Sequence, residues 1–327
     1  MQKRNGALQD PVNHGGGERF VVGEERWASI GEFRMRYLFQ CAQNLATAGP
    51  PIVLIHGLLG YSFSWRFNIE ALSERASVYA VDLLGIGFSE RPPRGALSFS
   101  LGETARRLLR WMREEGLHGV DLVGTSHGGG LVMMMAAIDA EERGGIIGRL
   151  VLVAPMNPWS RVGLRRTRLL GHPVGAFCFR TIVPAIGIFS VARGLMLERM
   201  YADPAKVTRA TRQGYDAPIR TPGTVDYVLD IVKHWHGDLA KLKEKAAIIL
   251  APTLLVWGDQ DSAVPVTSAA KLKLHMRDAE LVVMPGVGHL PYEEAPEEFN
   301  RILIDWLSRT APSRNLGDIA GPGYASP

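Results

Sequence analysis

Three features of the sequence predict an α/β fold built on a mostly parallel sheet. Short, mainly apolar runs such as Ile52–Ile55, Arg149–Ala154 and Thr253–Trp257 suit strands buried on both faces. Between them lie segments with helical periodicity. The third feature is the junction at Val120–Gly130, where a β-prone run meets Gly124-Thr125-Ser126-His127-Gly128 and then the Met- and Ala-rich run Leu131–Ile138. That is the strand, tight turn and helix context of a nucleophile elbow.

Residues 1 to 25 are polar, carry three consecutive glycines and lack the apolar run of a secretory signal, so they are expected to form a flexible arm. Trp27–Ile30 and Phe33–Cys41 flank Gly31 and predict an antiparallel hairpin at the sheet edge. Ile52–Ile55 follows as a buried strand ending in His56-Gly57, and Ala76–Asp82 as the next strand. Ser100–Gly116 predicts a helix: Ser100 stands three residues before Glu103, Leu101, Ala105, Leu108, Leu109 and Met112 make one apolar face, and Gly116 stops it. Met133, Met134 and Met135 are expected to fill the core, and Arg149–Ala154 closes the first half of the sheet.

From 156 to 251 the pattern changes. Arg, Pro and Gly are frequent, Asp203-Pro204 and Val225–Val232 read as helical, and no strong strand signal occurs, so a helical insertion is expected. Its apolar part, Val174–Leu197, is a candidate lining for a substrate pocket. His234 and His236 stand two apart and face different ways on a helix, which disfavours a metal pair. Thr253–Trp257 and Leu281–Met284 resume the sheet. Glu293 to Ser308 is expected to be a closing helix with acids at its positive end, and residues 312 to 327 a disordered tail. The core is thus assigned to 26–155 and 252–311.

Composition narrows the function classes. With 46% hydrophobic residues the chain can bury a large core. The net charge of +4 comes from dispersed arginines without a block of like charge or interleaved aromatic and basic stripes, so nucleic acid is not an expected partner. Cys41 and Cys178 offer neither a disulfide framework nor a metal spacing, which suits free thiols in a cytoplasmic setting. No run of about 18 apolar residues occurs, so stable membrane insertion is not expected.

The chemistry-bearing residues stand in the order Ser126, Asp261, His289. Ser126 is the candidate nucleophile, because Gly124 and Gly128 permit the tight turn that exposes its hydroxyl. His289, after Gly286-Val287-Gly288, is the candidate base. Asp261 is the candidate acid that fixes its tautomer, with Asp259 as the alternative. Asp82 and His56 are expected to brace loops.

Five blocks in sequence carry a family resemblance: His56-Gly57-Leu58-Leu59-Gly60, Asp82 to Ser89, the elbow, Trp257-Gly258-Asp259-Gln260-Asp261-Ser262-Ala263-Val264-Pro265, and Gly286 to Pro291. With them the chain resembles the α/β-hydrolase fold superfamily, in its serine esterase and epoxide-hydrolase-like branch. The resemblance implies an eight-stranded, mostly parallel sheet with helices on both faces and an inserted helical cap. It implies the backbone N–H groups of Leu58 and His127 as an oxyanion hole, and Asp261 as the triad acid. No cofactor or metal is expected, and the apolar insertion favours small-molecule esters of short to medium acyl length with apolar alcohols as substrates. Epoxide hydrolases and haloalkane dehalogenases of this superfamily carry Asp at the elbow, where Ser126 stands. Carbon–carbon bond hydrolases use Ser but often place Trp after the histidine, where Leu290 stands. That activity and a ligand receptor on the same scaffold are the alternatives.

Overall fold

The computed structural model describes residues 23–160, 164–185, 188–219 and 221–312, so most of the N-terminal arm and all but Pro312 of the C-terminal tail lie outside the described residues. Eight strands form one sheet: β1 (Glu24–Ile30), β2 (Phe33–Gln40), β3 (Ile52–Ile55), β4 (Val78–Val81), β5 (Val120–Thr125), β6 (Ile147–Val153), β7 (Thr253–Gly258) and β8 (Ala279–Met284). Their order is β1-β2-β4-β3-β5-β6-β7-β8, with β2 antiparallel to both neighbours and every other pair parallel. This is the eight-stranded, mostly parallel sheet of the α/β-hydrolase fold. The first strand starts at Glu24, inside the segment expected to be an arm, because Glu24 and Glu25 pair with Phe39 and Leu38.

The helices are α1 (Ile69–Ser73), α2 (Leu101–Glu114), α3 (Ser126–Glu142), α4 (Leu164–Gly171), α5 (Pro173–Ala185), α6 (Ile188–Met200), α7 (Arg209–Ile219), α8 (Thr224–Lys245), α9 (Thr267–Leu274), α10 (Pro291–Glu294) and α11 (Pro296–Arg309). Alternation along the strands divides the interior into two cores. Val53, Ile55, Leu122, Leu152, Leu255 and Trp257 face α2, α3 and α8. Ile52, Leu54, Val123, Val151, Leu254 and Val256 face α1 and α11. Each fully buried aliphatic side chain contributes roughly 1.5–3 kcal/mol relative to exposure, so residues with a two-residue period on both faces dominate stability.

Helix α2 starts where the Ser100 hydroxyl accepts the Glu103 N–H, and Gly116 follows it with φ of 69°. Helix α3 is buried nearly all round, including the three methionines, which is why its sequence shows no polar face. Where one ion pair interrupts the apolar sheet it is fully matched: Arg149 grips Asp121 through two 2.6 Å hydrogen bonds across β6 and β5. Burial raises the Asp121 pKa, and Arg149 holds the other way.

Among the described residues, five α-helices, α4 to α8, lie between β6 and β7. Helix α8 belongs to the core as much as to the insertion, because Tyr227, Val228, Ile231 and Val232 are buried in the first core cluster. The closing segment differs from expectation. Glu294 ends α10, Pro296 opens α11 with Glu297 and Glu298 in its first turn, and Glu293 and Glu294 are 6% and 5% exposed. They are not helix-terminal surface acids, since both are consumed by internal partners described below.

Candidate active site

The parallel register brings the functional loops to one edge. Ile55 pairs with Val81 and with Gly124, Thr125 with Val153, Val153 with Val256, and Gly258 with Met284. The chain therefore leaves β3, β4, β5, β6, β7 and β8 on the same side. In open α/β sheets that carboxyl edge is where ligands bind.

Ser126 sits at the junction of β5 and α3 with φ of 52°, a left-handed conformation that costs a non-glycine residue of order 1–3 kcal/mol. The neighbouring backbones hold it there. A Cβ on Gly128 would lie 2.2 Å from the His56 carbonyl oxygen, and one on Gly124 2.6 Å from that of Gly128. Close approach, rather than flexibility, is what these glycines provide. The Ser126 carbonyl accepts the Met156 N–H at 2.7 Å, tying the turn to the loop after β6.

His289 is 2% exposed, and its Nδ1 lies 2.8 Å from Asp261 Oδ2. Asp261 uses its other oxygen to accept the N–H groups of Ala263 and Val264, both at 2.8 Å. The carboxylate is thus fixed on both sides, and it favours the His289 tautomer that carries its proton on Nδ1 and leaves Nε2 as the acceptor. Asp259 instead accepts the Gly286 N–H at 2.8 Å on the exposed side of the loop. Of the two carboxylates, Asp261 is the one on the histidine.

Two contacts that sequence reading missed hold the histidine loop. Glu294 accepts the N–H groups of Gly288 at 2.7 Å, Ala202 at 3.1 Å and Asp203 at 2.9 Å. The His289 N–H donates to the Met200 carbonyl at 2.6 Å. The C-terminal end of α6 and the histidine loop are clamped together by one buried carboxylate. Gly258 completes the fit, since a Cβ there would fall 2.1 and 2.2 Å from the carbonyl oxygens of Val287 and Gly288.

Ser126 and His289 line one cavity of about 1250 Å³. Leu58 borders it beside Gly57, and its wall is mainly aliphatic and aromatic, with Met156, Leu170, Trp235, Leu239 and Leu290 among its members. His127 takes the first buried turn of α3, its ring 6.1 Å from that of Trp235 at 23°. Burial, with His56 nearby, lowers its pKa to about 4, so its side chain is neutral. The N–H groups at this helix start have no partner within the helix. Of the apolar insertion segment expected to line a pocket, Leu195, Met196 and Leu197 do so, whereas Val174 and Phe177 face solvent. The side chains of 182–193 lie outside the described residues.

The remaining candidates brace the frame. His56 Nδ1 donates to the Gly57 carbonyl at 2.7 Å, and its Nε2 accepts the Leu83 N–H at 3.1 Å. Asp82 accepts from Ser62 N at 2.8 Å, Phe88 N at 2.9 Å and Arg36 at 2.9 Å. His234 reaches Ser98 and Asp230 while His236 reaches Thr167, so the two histidines diverge. Among the described residues no group of three or more His, Cys, Asp or Glu side chains is placed to hold a metal ion.

A second buried network lies under the cavity. Arg66 and Glu293, with side chains 1% and 0% exposed, pair at 2.8 Å. Glu293 also accepts the hydroxyls of Tyr201 at 3.0 Å and of Tyr215, which meets Ser64 at 2.8 Å. Burial opposes the charge on Arg66, but the Glu293 carboxylate outweighs it and the guanidinium stays charged. Tyr215 and Ser64 reach the cavity wall.

The match to known proteins agrees with this arrangement. Residues 52–302 match the profile of the Alpha/beta hydrolase family. The chain belongs to that family. Haloalkane dehalogenase 2 of Mycobacterium tuberculosis is 27% identical over 290 residues, covering 86% of this chain and 94% of the relative. Among solved structures, the epoxide hydrolase CorEH superposes with a TM-score of 0.73 at 19% identity, covering 87% of this chain and 98% of its own. A mutant of the meta-cleavage product hydrolase CumD gives 0.68 at 24%, covering 88% and 99%. Such likeness supports a hydrolase on this fold without choosing the bond that is cleaved.

Proposed function

We propose that this hydrolase cleaves carboxylic esters through a Ser126-His289-Asp261 triad and an acyl-enzyme. The observation that carries the reading is the Asp261–His289 hydrogen bond at 2.8 Å in the cavity that Ser126 enters from a left-handed turn. A serine hydroxyl is a weak nucleophile near neutral pH and needs a neutral imidazole held in the correct tautomer. In this mechanism His289 takes the Ser126 proton as Oγ attacks the ester carbonyl, then delivers it to the departing alkoxide. Water activated by the same nitrogen releases the acid. The N–H groups of Leu58 and His127 hold the developing oxyanion, each contributing about 3–4 kcal/mol to the transition state.

The cavity argues for a bulky, apolar substrate. Sites for drug-sized ligands occupy on the order of 300–1,000 Å³, and this one is about 1250 Å³ with Arg199 as the one Lys or Arg, and no Asp or Glu, among its described lining residues. Medium or longer acyl chains, or esters of apolar alcohols, use that space better than acetate does. The test is steady-state hydrolysis of p-nitrophenyl esters from acetate to palmitate. Turnover with an optimum beyond the short esters supports the reading. Silence on every ester, with turnover of a vinylogous diketone, replaces it by carbon–carbon bond hydrolysis.

A further inference from the structure

The insertion carries a surface that the hydrolytic reaction does not use. Between Met156 and Leu197 the sequence has six arginines and no lysine, aspartate or glutamate. That excess is larger than the +4 of the whole chain, so the rest of the molecule is net acidic. Of these arginines Arg168, on α4, is described as exposed.

Helix α5 presents its apolar side to water. Val174, Phe177, Cys178 and Thr181 recur at the three- and four-residue spacing of one helix face, and all four are exposed, Val174 and Phe177 at 64% each. Arg180 turns the other way, to Asp226 on α8 at 2.8 Å. On the flanking helices Leu169 is 68% exposed on α4, and Leu195 and Met196 are exposed on α6, where they also border the cavity. A water-facing helix ordinarily has the opposite arrangement. Contiguous exposed apolar surface on a soluble chain marks an interaction site.

From this we propose that the α4–α6 face docks on an anionic lipid surface, its apolar side chains entering the headgroup layer and Arg168 meeting lipid phosphate, with the net positive charge of the segment favouring an anionic surface. Charge selects the occupant. A second copy of the chain, applied through the same face, would set one net-positive segment against another, and nucleic acid would leave the apolar stripe without a partner. Among the described residues no helix is long and apolar enough to cross a membrane, so the contact is peripheral. It places the mouth of an apolar cavity at the lipid boundary, and it does not depend on which bond the enzyme cleaves.

The test is co-sedimentation of the full chain with vesicles of phosphatidylcholine alone or with one third phosphatidylglycerol, at low and high salt. The expected result is binding to the anionic vesicles on the order of tenfold tighter than to neutral ones and weakened by salt. The Val174→Asp/Phe177→Asp variant should lose on the order of tenfold in binding, while its circular dichroism and turnover of a soluble substrate match the parent. Arg168→Glu should reduce the anionic preference. No binding to anionic vesicles, or equal binding by the double variant, overturns the proposal. A dimer in solution that the double variant dissolves, without vesicle binding, assigns the stripe to a second copy instead.

Discussion

The Glu294 carboxylate accepts the Gly288 N–H at 2.7 Å, one residue before His289. Through its bonds to Ala202 and Asp203 the same group fixes the end of α6, so the position of the candidate base depends on a side chain that touches no substrate. Glu294→Ala leaves the buried Gly288 N–H without an acceptor, at a cost of about 1–3 kcal/mol, and frees the part-buried bonds to Ala202 and Asp203. We expect a loss of about 1–3 kcal/mol in unfolding free energy by denaturant titration. Glu294→Gln, which keeps one acceptor oxygen, should recover part of the stability and show a larger defect in kcat than in KM.

Asp261 and Asp259 separate cleanly. Asp261→Asn removes the acceptor that orders the His289 tautomer, and kcat should fall on the order of 10³–10⁴-fold with folding intact. Asp259 braces only Gly286, so Asp259→Asn should keep kcat within about threefold. Steady-state kinetics on both variants decides between the two acids.

Arg66→Ala strands the Glu293 carboxylate in an interior that is 0% exposed at that side chain. Breaking one partner of a buried pair costs about 3–5 kcal/mol, so the variant should melt markedly earlier by calorimetry. Because Glu293 holds Tyr215 at the cavity wall, surviving protein should show raised KM for large substrates.

His127 is buried and neutral, with its pKa lowered to about 4 from 6.5. Between those values the unfolded chain binds a proton that the folded chain excludes, so stability falls as pH falls through this window. From this group alone the loss is roughly 2 kcal/mol by pH 5. His56, also lowered by burial, adds in the same direction. Asp121, Asp139 and Asp238 are raised by burial and act with the opposite sign. Denaturant midpoints from pH 8 to 5 should therefore drop more steeply for the parent than for His127→Gln, which removes one titration and leaves the others.

What was legible in the sequence follows from range. The strands β3, β5, β6 and β7 are buried throughout and mainly apolar, so local pattern sufficed to place them and the elbow. Local spacing also separated His234 from His236. Glu293 and Glu294 were misread because two acids near a proline look like a helix start, while Arg66, Tyr201 and Tyr215, which neutralise or bind Glu293, are distant in sequence. Trp235 sits between two polar histidines, and only the packing of α8 over His127 turns it into a cavity wall. The outward apolar face of α5 reads as core periodicity until the fold gives its direction.

The central claim is that Ser126 is acylated during turnover. Mass spectrometry of the protein quenched during hydrolysis of a p-nitrophenyl ester, followed by peptide mapping, tests it most directly. The account predicts an acyl adduct on the peptide containing Ser126, absent in Ser126→Ala and long-lived in His289→Ala once formed with an activated ester. An adduct on another residue, or ester turnover that survives in Ser126→Ala, would contradict it.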